Sequence, residues 1–422
     1  MPMVLEFVIF SVGLAVYAGY GAAGLAYLTA ATVFAYAAGR LIPRFPWVMW
    51  VSVAANALAL LLVKLQPVTA MELPAILGIS YLTLKVISYH VDLYRGKYPP
   101  EENFLRIGLY VTYLPQLFLG PIERYDRFRV AAFEERNINW EGISAGGARI
   151  LWGLFKKLVI AARAGMVVSG ITADPAAYRG PFALAAMVMY YLQLYADFSG
   201  GIDVIIGISR MLGIRVSENF RMPYLAESVQ EFWRRWHITL GSWLREYVYI
   251  PLGGNRKGNL RKAVNLLITF LVSGLWHGVH YLVWGLLNGL FAAVGEKCKT
   301  KSPCLNRIGT FLVISFLWAF FVWPDTATAL EMIGSVFVLG NYGSFWSQFP
   351  LMSLDVSDWL VLGAAVGMLL AGDAFWDEMG RRYRKMEPAG HLAVICTLGL
   401  LILVFGVYGI GFDVEAFIYS RF

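Results

Sequence analysis

Apolar stretches of membrane-crossing length follow one another along most of this chain, separated by short polar breaks. About 20 apolar residues make a helix long enough to cross the roughly 30 Å hydrocarbon core of a bilayer. By that measure, segments are predicted near 3–20, 22–39, 46–64, 74–91, 104–120, 182–196, 200–214, 263–278, 280–295, 308–323, 327–340, 357–375 and 391–411. Some are too short to cross and are expected to be re-entrant or interfacial, which leaves about ten or eleven transmembrane helices. The pattern predicts an all-α, polytopic membrane protein. No polar stretch is longer than a loop, so residues 1–422 are expected to form one membrane domain. The first apolar stretch has no basic leader and is expected to be a span rather than a signal peptide.

The middle of the chain breaks this pattern. Between about 120 and 262, Arg, Glu, Trp and Tyr are mixed into apolar segments at a density that lipid would not tolerate. Polar residues at membrane depth face a protein-lined, watery cavity, so function is expected in this region. Lys156 and Lys157, on an apolar segment, are expected to reach an interface with their charged ends.

Composition supports the membrane reading. The 422 residues are 58% hydrophobic and 15% charged, against about 25% charged in a soluble domain. Fourteen Trp and 23 Tyr suit aromatic belts at the two membrane interfaces. Lys and Arg exceed Asp and Glu by 35 to 28, a net charge of +7. Positive-inside loops account for that excess. No basic stretch interleaved with stacking aromatics marks a nucleic-acid partner. Cys298, Cys304 and Cys396 lack zinc-type spacing, so no metal is expected; the first two lie near a Lys-rich run read as cytoplasmic. Arg381, Arg382, Arg384 and Lys385 form the densest short basic cluster and are expected to be cytoplasmic. The helix near 391–411 then leads outward, leaving the tail 413–422 outside the cell membrane.

Of five histidines, His90, His237, His277, His280 and His391, two have unusual surroundings. His237 ends the run Glu231-Phe-Trp-Arg-Arg-Trp-His, and His277 sits in Ser273-Gly-Leu-Trp-His-Gly278 inside an apolar run. A neutral imidazole at such depth needs a hydrogen-bond partner. It either bridges two helices or acts as a general base, for which imidazole suits because it titrates near operating pH. Gly278 would let a substrate approach closely. His280 falls near the same helical face and is expected to be interfacial.

The run Gln230-Glu-Phe-Trp-Arg-Arg-Trp-His-Ile-Thr-Leu240, continued by Trp243-Leu-Arg-Glu-Tyr-Val-Tyr-Ile-Pro-Leu-Gly-Gly-Asn-Arg256, resembles the signature of the membrane-bound O-acyltransferase family. It is most similar to the branch that serves alginate O-acetylation. Gly274-Leu-Trp-His-Gly278 resembles the family's second histidine motif. Gly78-Ile-Ser-Tyr-Leu-Thr, Tyr94-Arg-Gly, Leu114-Pro-Gln-Leu-Phe-Leu-Gly-Pro-Ile122 with Arg124, and Tyr195-Ala-Asp-Phe-Ser-Gly-Gly-Ile-Asp203 match the same branch, together covering about 74–290. The N-terminal part looks shorter than in alginate-type members, which leaves the acceptor polymer open.

The resemblance implies a channel between the two membrane faces with His277 as catalytic histidine and His237 as the second polar position. It implies an acyl thioester donor, acetyl-coenzyme A or an acyl carrier, and an acceptor hydroxyl, with no bound cofactor. Trp236 and Trp276, beside the histidines, are candidates to contact substrate. Arg234, Arg235 and Arg245 could bind the donor's phosphates or pair with Glu231 and Glu246. The turn 251–258 could meet those phosphates or be a basic cytoplasmic loop, and Asp197 and Asp203, read as flanking a Gly-rich helix break, could orient a histidine or stabilise structure. The ending Phe417-Ile-Tyr-Ser-Arg-Phe422 resembles that of some family members and of the small partner in teichoic-acid D-alanylation. It implies Tyr419 as a transient acyl acceptor, with an aromatic interface anchor as the alternative.

The expected function is therefore transfer of an acyl group, first of all acetyl, from a cytoplasmic thioester across the membrane to an extracytoplasmic polysaccharide. A separate extracytoplasmic acyltransferase would complete delivery. D-alanyl transfer from a carrier to teichoic acid uses the same residue types. A transporter with a histidine proton relay is the reading from another class.

Overall fold

The computed structural model describes residues 2–69, 76, 78–338 and 342–408. Every regular element among them is helical, as the apolar pattern predicts. The first third holds α1 (Pro2–Gly19), α2 (Ala22–Leu41), α3 (Trp47–Leu65), α4 (Ile79–Tyr94), α5 (Phe104–Thr112), α6 (Leu114–Phe118) and α7 (Tyr125–Arg129). The middle holds α8 (Trp140–Phe155), α9 (Ala162–Thr172), α10 (Pro181–Met211), α11 (Val229–Arg235), α12 (Ile238–Leu244), α13 (Gly258–His277) and α14 (Leu282–Val294). The last third holds α15 (Pro303–Val322), α16 (Thr326–Ser335), α17 (Phe345–Gln348), α18 (Val356–Ala374), α19 (Trp376–Arg384) and α20 (Pro388–Phe405).

Five of these, α2, α3, α15, α18 and α20, are long and apolar enough to cross a membrane by length and composition; Val4–Gly19 and Val279–Val294 are shorter apolar helices. Among the described residues the other expected spans are helices below that length, such as α4 and α14, or helices that carry charged residues among their apolar ones, such as α10. The segments 182–196 and 200–214, read as two spans, form the single 31-residue α10. Segment 104–120 is divided into α5 and α6 at Tyr113, just before Pro115.

Two helices organise the interior. On α4, 14 of 16 residues are buried, as befits a helix surrounded by protein on all sides. Its Leu82, Val86, Tyr89 and Leu93 face one apolar core with Tyr110 and Phe128. Its Tyr81, Leu84 and Ile87 face the second and larger core, with Tyr191, Trp236, Trp276 and Trp318. The other organiser is α10, which lies against α8 through glycines spaced seven apart on each helix. A Cβ on Gly153 would come 2.4 Å from the Gly200 carbonyl oxygen, and one on Gly146 would come 2.6 Å from that of Gly207. Small residues at a helix crossing let backbones approach this closely in a membrane.

That approach corrects two expectations. The glycines at 200 and 201 do not break α10 between Asp197 and Asp203; Gly200 packs it against Gly153. Nor do Lys156 and Lys157 reach an interface. A π-helical turn over Lys156–Ala161 follows α8, and both lysines are buried against α10. Lys156 Nζ lies 2.6 Å from Asp203 Oδ2, and Lys157 Nζ lies 2.7 Å from Asp197 Oδ1. Buried charge of one sign requires its opposite close by.

Candidate active site

The two histidines occupy helix ends. His277 is the last residue of α13, and Gly278 stops the helix with φ 145° and ψ 164°, a conformation that a side chain would resist. A short 3-10 turn over Val279–Tyr281 then leads into α14. His280 therefore leaves the face of His277 and is exposed. The His277 ring is held edge-on among four aromatic rings: Trp276 at 4.7 Å, Trp284 at 5.4 Å, Phe321 at 5.8 Å and Tyr281 at 6.2 Å between centroids.

His237 precedes α12 and has a left-handed backbone, φ 45° and ψ 53°. Such a conformation costs on the order of 1–3 kcal/mol and persists only where the surroundings enforce it. Buried Asn219 enforces it here. Its main-chain oxygen accepts from the Ile238 N–H at 2.9 Å, and its Oδ1 accepts from Thr239 N at 3.0 Å and Thr239 Oγ1 at 2.9 Å. The same Oδ1 lies 3.3 Å from His237 Nδ1. The Thr239 amide fixes Oδ1 as the acceptor, so Nδ1 carries the proton and Nε2 is the basic nitrogen of the neutral ring. Asn219 carried no signal in the sequence reading; its place ahead of the aromatic run becomes meaningful only once the chain folds back.

Trp276 joins the two rings. Its centroid lies 6.3 Å from His237 and 4.7 Å from His277. The sequence places these histidines 40 residues apart, and the fold brings them to one indole. Trp236, beside His237, packs instead into the aromatic core against Phe232 and Trp318.

Next to this centre is a polar cavity of about 960 Å³. Ile238, Thr239 and Phe220 line it, so His237 sits directly behind its wall. The lining carries seven basic and seven acidic side chains. Ion pairs engage Lys97 and Arg124 with Glu246, and Arg149 and Lys156 with Asp203. Burial alone would raise the Glu246 carboxyl, but Lys97 and Arg124 outweigh it and hold it below its ordinary range. Arg127, Arg221 and Arg245 make no ion pair among the described residues. Three unpaired guanidinium groups on one cavity suit a phosphorylated ligand.

Of the arginines singled out from the sequence, Arg245 lines this cavity while Arg234 and Arg235 do not. Arg235 pairs with Glu231 at 2.7 Å, and Arg234 Nε donates to the Gln230 carbonyl at 3.3 Å. Asp197 is held by Lys157 away from the cavity, whereas Asp203 lines it. The turn 251–257 is tied down by Asn265, whose Nδ2 donates to the Gly254 carbonyl at 2.7 Å. Tyr419 lies outside the described residues.

The sequence model of the membrane-bound O-acyltransferase family matches residues 96–323, more than half of the chain and the whole region of both histidines. The chain belongs to this family. It is a multi-pass membrane protein. It is 35% identical over 321 residues to a protein of Pseudomonas fluorescens named "Probable alginate O-acetylase AlgI", covering 74% of this chain and 64% of that one. It is 34% identical over 294 residues to the peptidoglycan O-acetyltransferase of Helicobacter pylori, covering 61% and 56%. A teichoic acid D-alanyltransferase of Streptococcus thermophilus is 28% identical over 280 residues, covering 62% and 67%. The chain spans less than two thirds of the length of the first two relatives.

Proposed function

We propose that this protein is an O-acetyltransferase of the cell (inner or plasma) membrane, moving acetyl from a cytoplasmic thioester to an extracytoplasmic polysaccharide with His277 as general base. The observation that carries the reading is the convergence of His237 and His277 on Trp276, inside a helical bundle and behind a polar cavity. Acyl transfer to a hydroxyl needs a base at the carbonyl and exclusion of water from the thioester. The aromatic enclosure of His277 provides that exclusion.

The sides of the membrane fit this division of labour. Arg256, Lys257, Arg261 and Lys262 stand at the start of α13, and Lys299 and Lys301 follow α14. Under the positive-inside rule both ends of this hairpin are cytoplasmic, and its tip, with His277, points to the other face. The cavity, walled partly by Trp376 and Asp377 of basic α19, opens toward the donor's side. Arg127, Arg221 and Arg245 would hold the phosphates of acetyl-coenzyme A or of a carrier's prosthetic arm, and His237 would position the thioester. Tyr419, on an outward tail, would take the acyl group before a separate extracytoplasmic acyltransferase delivers it.

Acetyl is favoured over D-alanyl because the relatives named for O-acetylation are 34–37% identical, against 27–28% for those named for D-alanyl transfer. The test is the ester-linked acyl content of envelope polysaccharides, by base release and mass analysis, in cells with wild type or His277→Ala. A specific acetyl ester is expected to disappear with the histidine while the protein stays in the membrane. An unchanged ester profile would sink the assignment.

A further inference from the structure

The sequence motif Gly78-Ile-Ser-Tyr-Leu-Thr has no role in the scheme so far, yet it delivers a side chain to the centre of the site. Tyr81 points from α4 into the larger core and is 6% exposed. Its ring stacks on His237 at 6.5 Å and meets Trp276 edge to face at 5.9 Å, between planes 82° apart. Trp276 is 7% exposed. Neither the Tyr81 hydroxyl nor the Trp276 indole N–H makes a hydrogen bond among the described residues. About nine in ten buried polar groups are hydrogen-bonded, and each exception calls for an explanation. In the same core Trp233 Nε1 donates to Asn288 Oδ1 and Trp243 Nε1 to the Leu84 carbonyl, both at 2.9 Å, while the indole N–H groups of Trp284, Trp318 and Trp323 also find no partner among the described residues; Tyr81 and Trp276 are set apart by their place against the histidines. Tyr81 and Trp276 are two such donors in contact with each other, Tyr81 against His237 and Trp276 against both histidines, where an acyl oxygen would supply the missing acceptor.

We infer that Tyr81 and Trp276 are catalytic residues, whose O–H and N–H receive the carbonyl oxygen of the acyl group as it becomes an oxyanion. The inference rests on the acyl-transfer reading above. In that step the acceptor oxygen attacks the thioester carbonyl carbon and its proton passes to His277. The carbonyl electron pair moves onto oxygen, which the two donors hold. Collapse of the tetrahedral intermediate breaks the C–S bond, forms the ester, and releases the thiolate, which leaves as thiol with the proton from His277. Donors fixed by packing cost no reorganisation when the charge develops, and loss of one such donor typically lowers kcat by about 100- to 1,000-fold.

The test uses inside-out membrane vesicles, which retain the acceptor and any partner, and reads thiol release from acetyl-coenzyme A above vesicles lacking the protein. Tyr81→Phe and Trp276→Phe keep an aromatic ring and remove only the polar hydrogen. Each is expected to lower kcat by about 100-fold with KM changed less than twofold. Purified His277→Ala protein with [1-13C]acetyl-coenzyme A bound provides a second readout: adding Tyr81→Phe is expected to return the lowered carbonyl stretch toward its value in buffer. A wild-type kcat in Tyr81→Phe, a loss confined to KM, or a carbonyl band that does not move overturns the donor pair. Failure of the underlying reading shows differently, as a wild-type rate of thiol release by His277→Ala itself.

Discussion

At the scale of single residues, the site depends on side chains that hold others in place. Asn219 is fully buried and fixes three things together: the left-handed backbone at His237, the start of α12 and the tautomer of the imidazole. Removing it would strand the Thr239 amide and leave the His237 conformation unsupported. Leaving buried donors unsatisfied costs about 1–3 kcal/mol. Asn219→Ala is therefore expected to lower the melting temperature in detergent and to abolish ester formation, whereas Asn219→Asp, which keeps an acceptor oxygen, should fold. Equal melting points for Asn219→Ala and wild type would show that His237 is held by other contacts. The sequence named both histidines because an imidazole among Trp and Gly in an apolar run is chemically conspicuous. It could not name Asn219, Arg127 or Arg221, since an asparagine or arginine in a polar stretch looks like any other. Only the chain's return shows what each one faces.

At the scale of elements, the pairing of α8 with α10 puts charge where hydropathy alone would forbid it. The glycine contacts draw the two backbones together, and the π turn after α8 directs two consecutive lysines onto Asp197 and Asp203. Breaking a buried ion pair on one side is strongly destabilising, by about 3–5 kcal/mol, while replacing both partners with apolar groups is often neutral. Asp197→Asn should accordingly destabilise the protein, and Asp197→Leu combined with Lys157→Met should recover most of the loss, as read by thermal unfolding. A double variant no more stable than the single one would assign the aspartate a role beyond its lysine. The same pairing explains where the sequence reading of elements failed. Gly200 and Gly201 looked like an interruption because glycine is a poor helix former; the packing role of Gly200 depends on Gly153 in another helix. Adjacent lysines on an apolar segment look like an interfacial pair until their acids are found 40 and 47 positions away, as with Lys157 and Asp197 or Lys156 and Asp203. The outer helices such as α2, α3 and α18, which face lipid along much of their length, were read with nearly correct limits.

At the scale of the whole molecule, the chain's crossings determine on which side the cavity opens. The 20 residues of α15 and the 19 of α18 span about 30 and 28 Å, enough to cross the hydrocarbon core. The 10 residues of α16 between them reach only about 15 Å. On these lengths the chain is expected to cross once in α15 and to return once in α18. The segment before α15 and the helix α19 therefore lie on one face, and both are rich in Lys and Arg, the signature of the cytoplasmic side. Cys298 in that first segment and Cys304 in the first turn of α15 are exposed, which provides a probe already built into the protein. A membrane-impermeant maleimide should label them in inside-out vesicles and not in intact spheroplasts, with Cys396→Ser used to remove the remaining thiol. Labelling in spheroplasts would invert the molecule. The cavity beside Trp376 would then face outward, Arg127, Arg221 and Arg245 would meet the acceptor polymer rather than the donor, and the path proposed for the acyl group would have to run the other way.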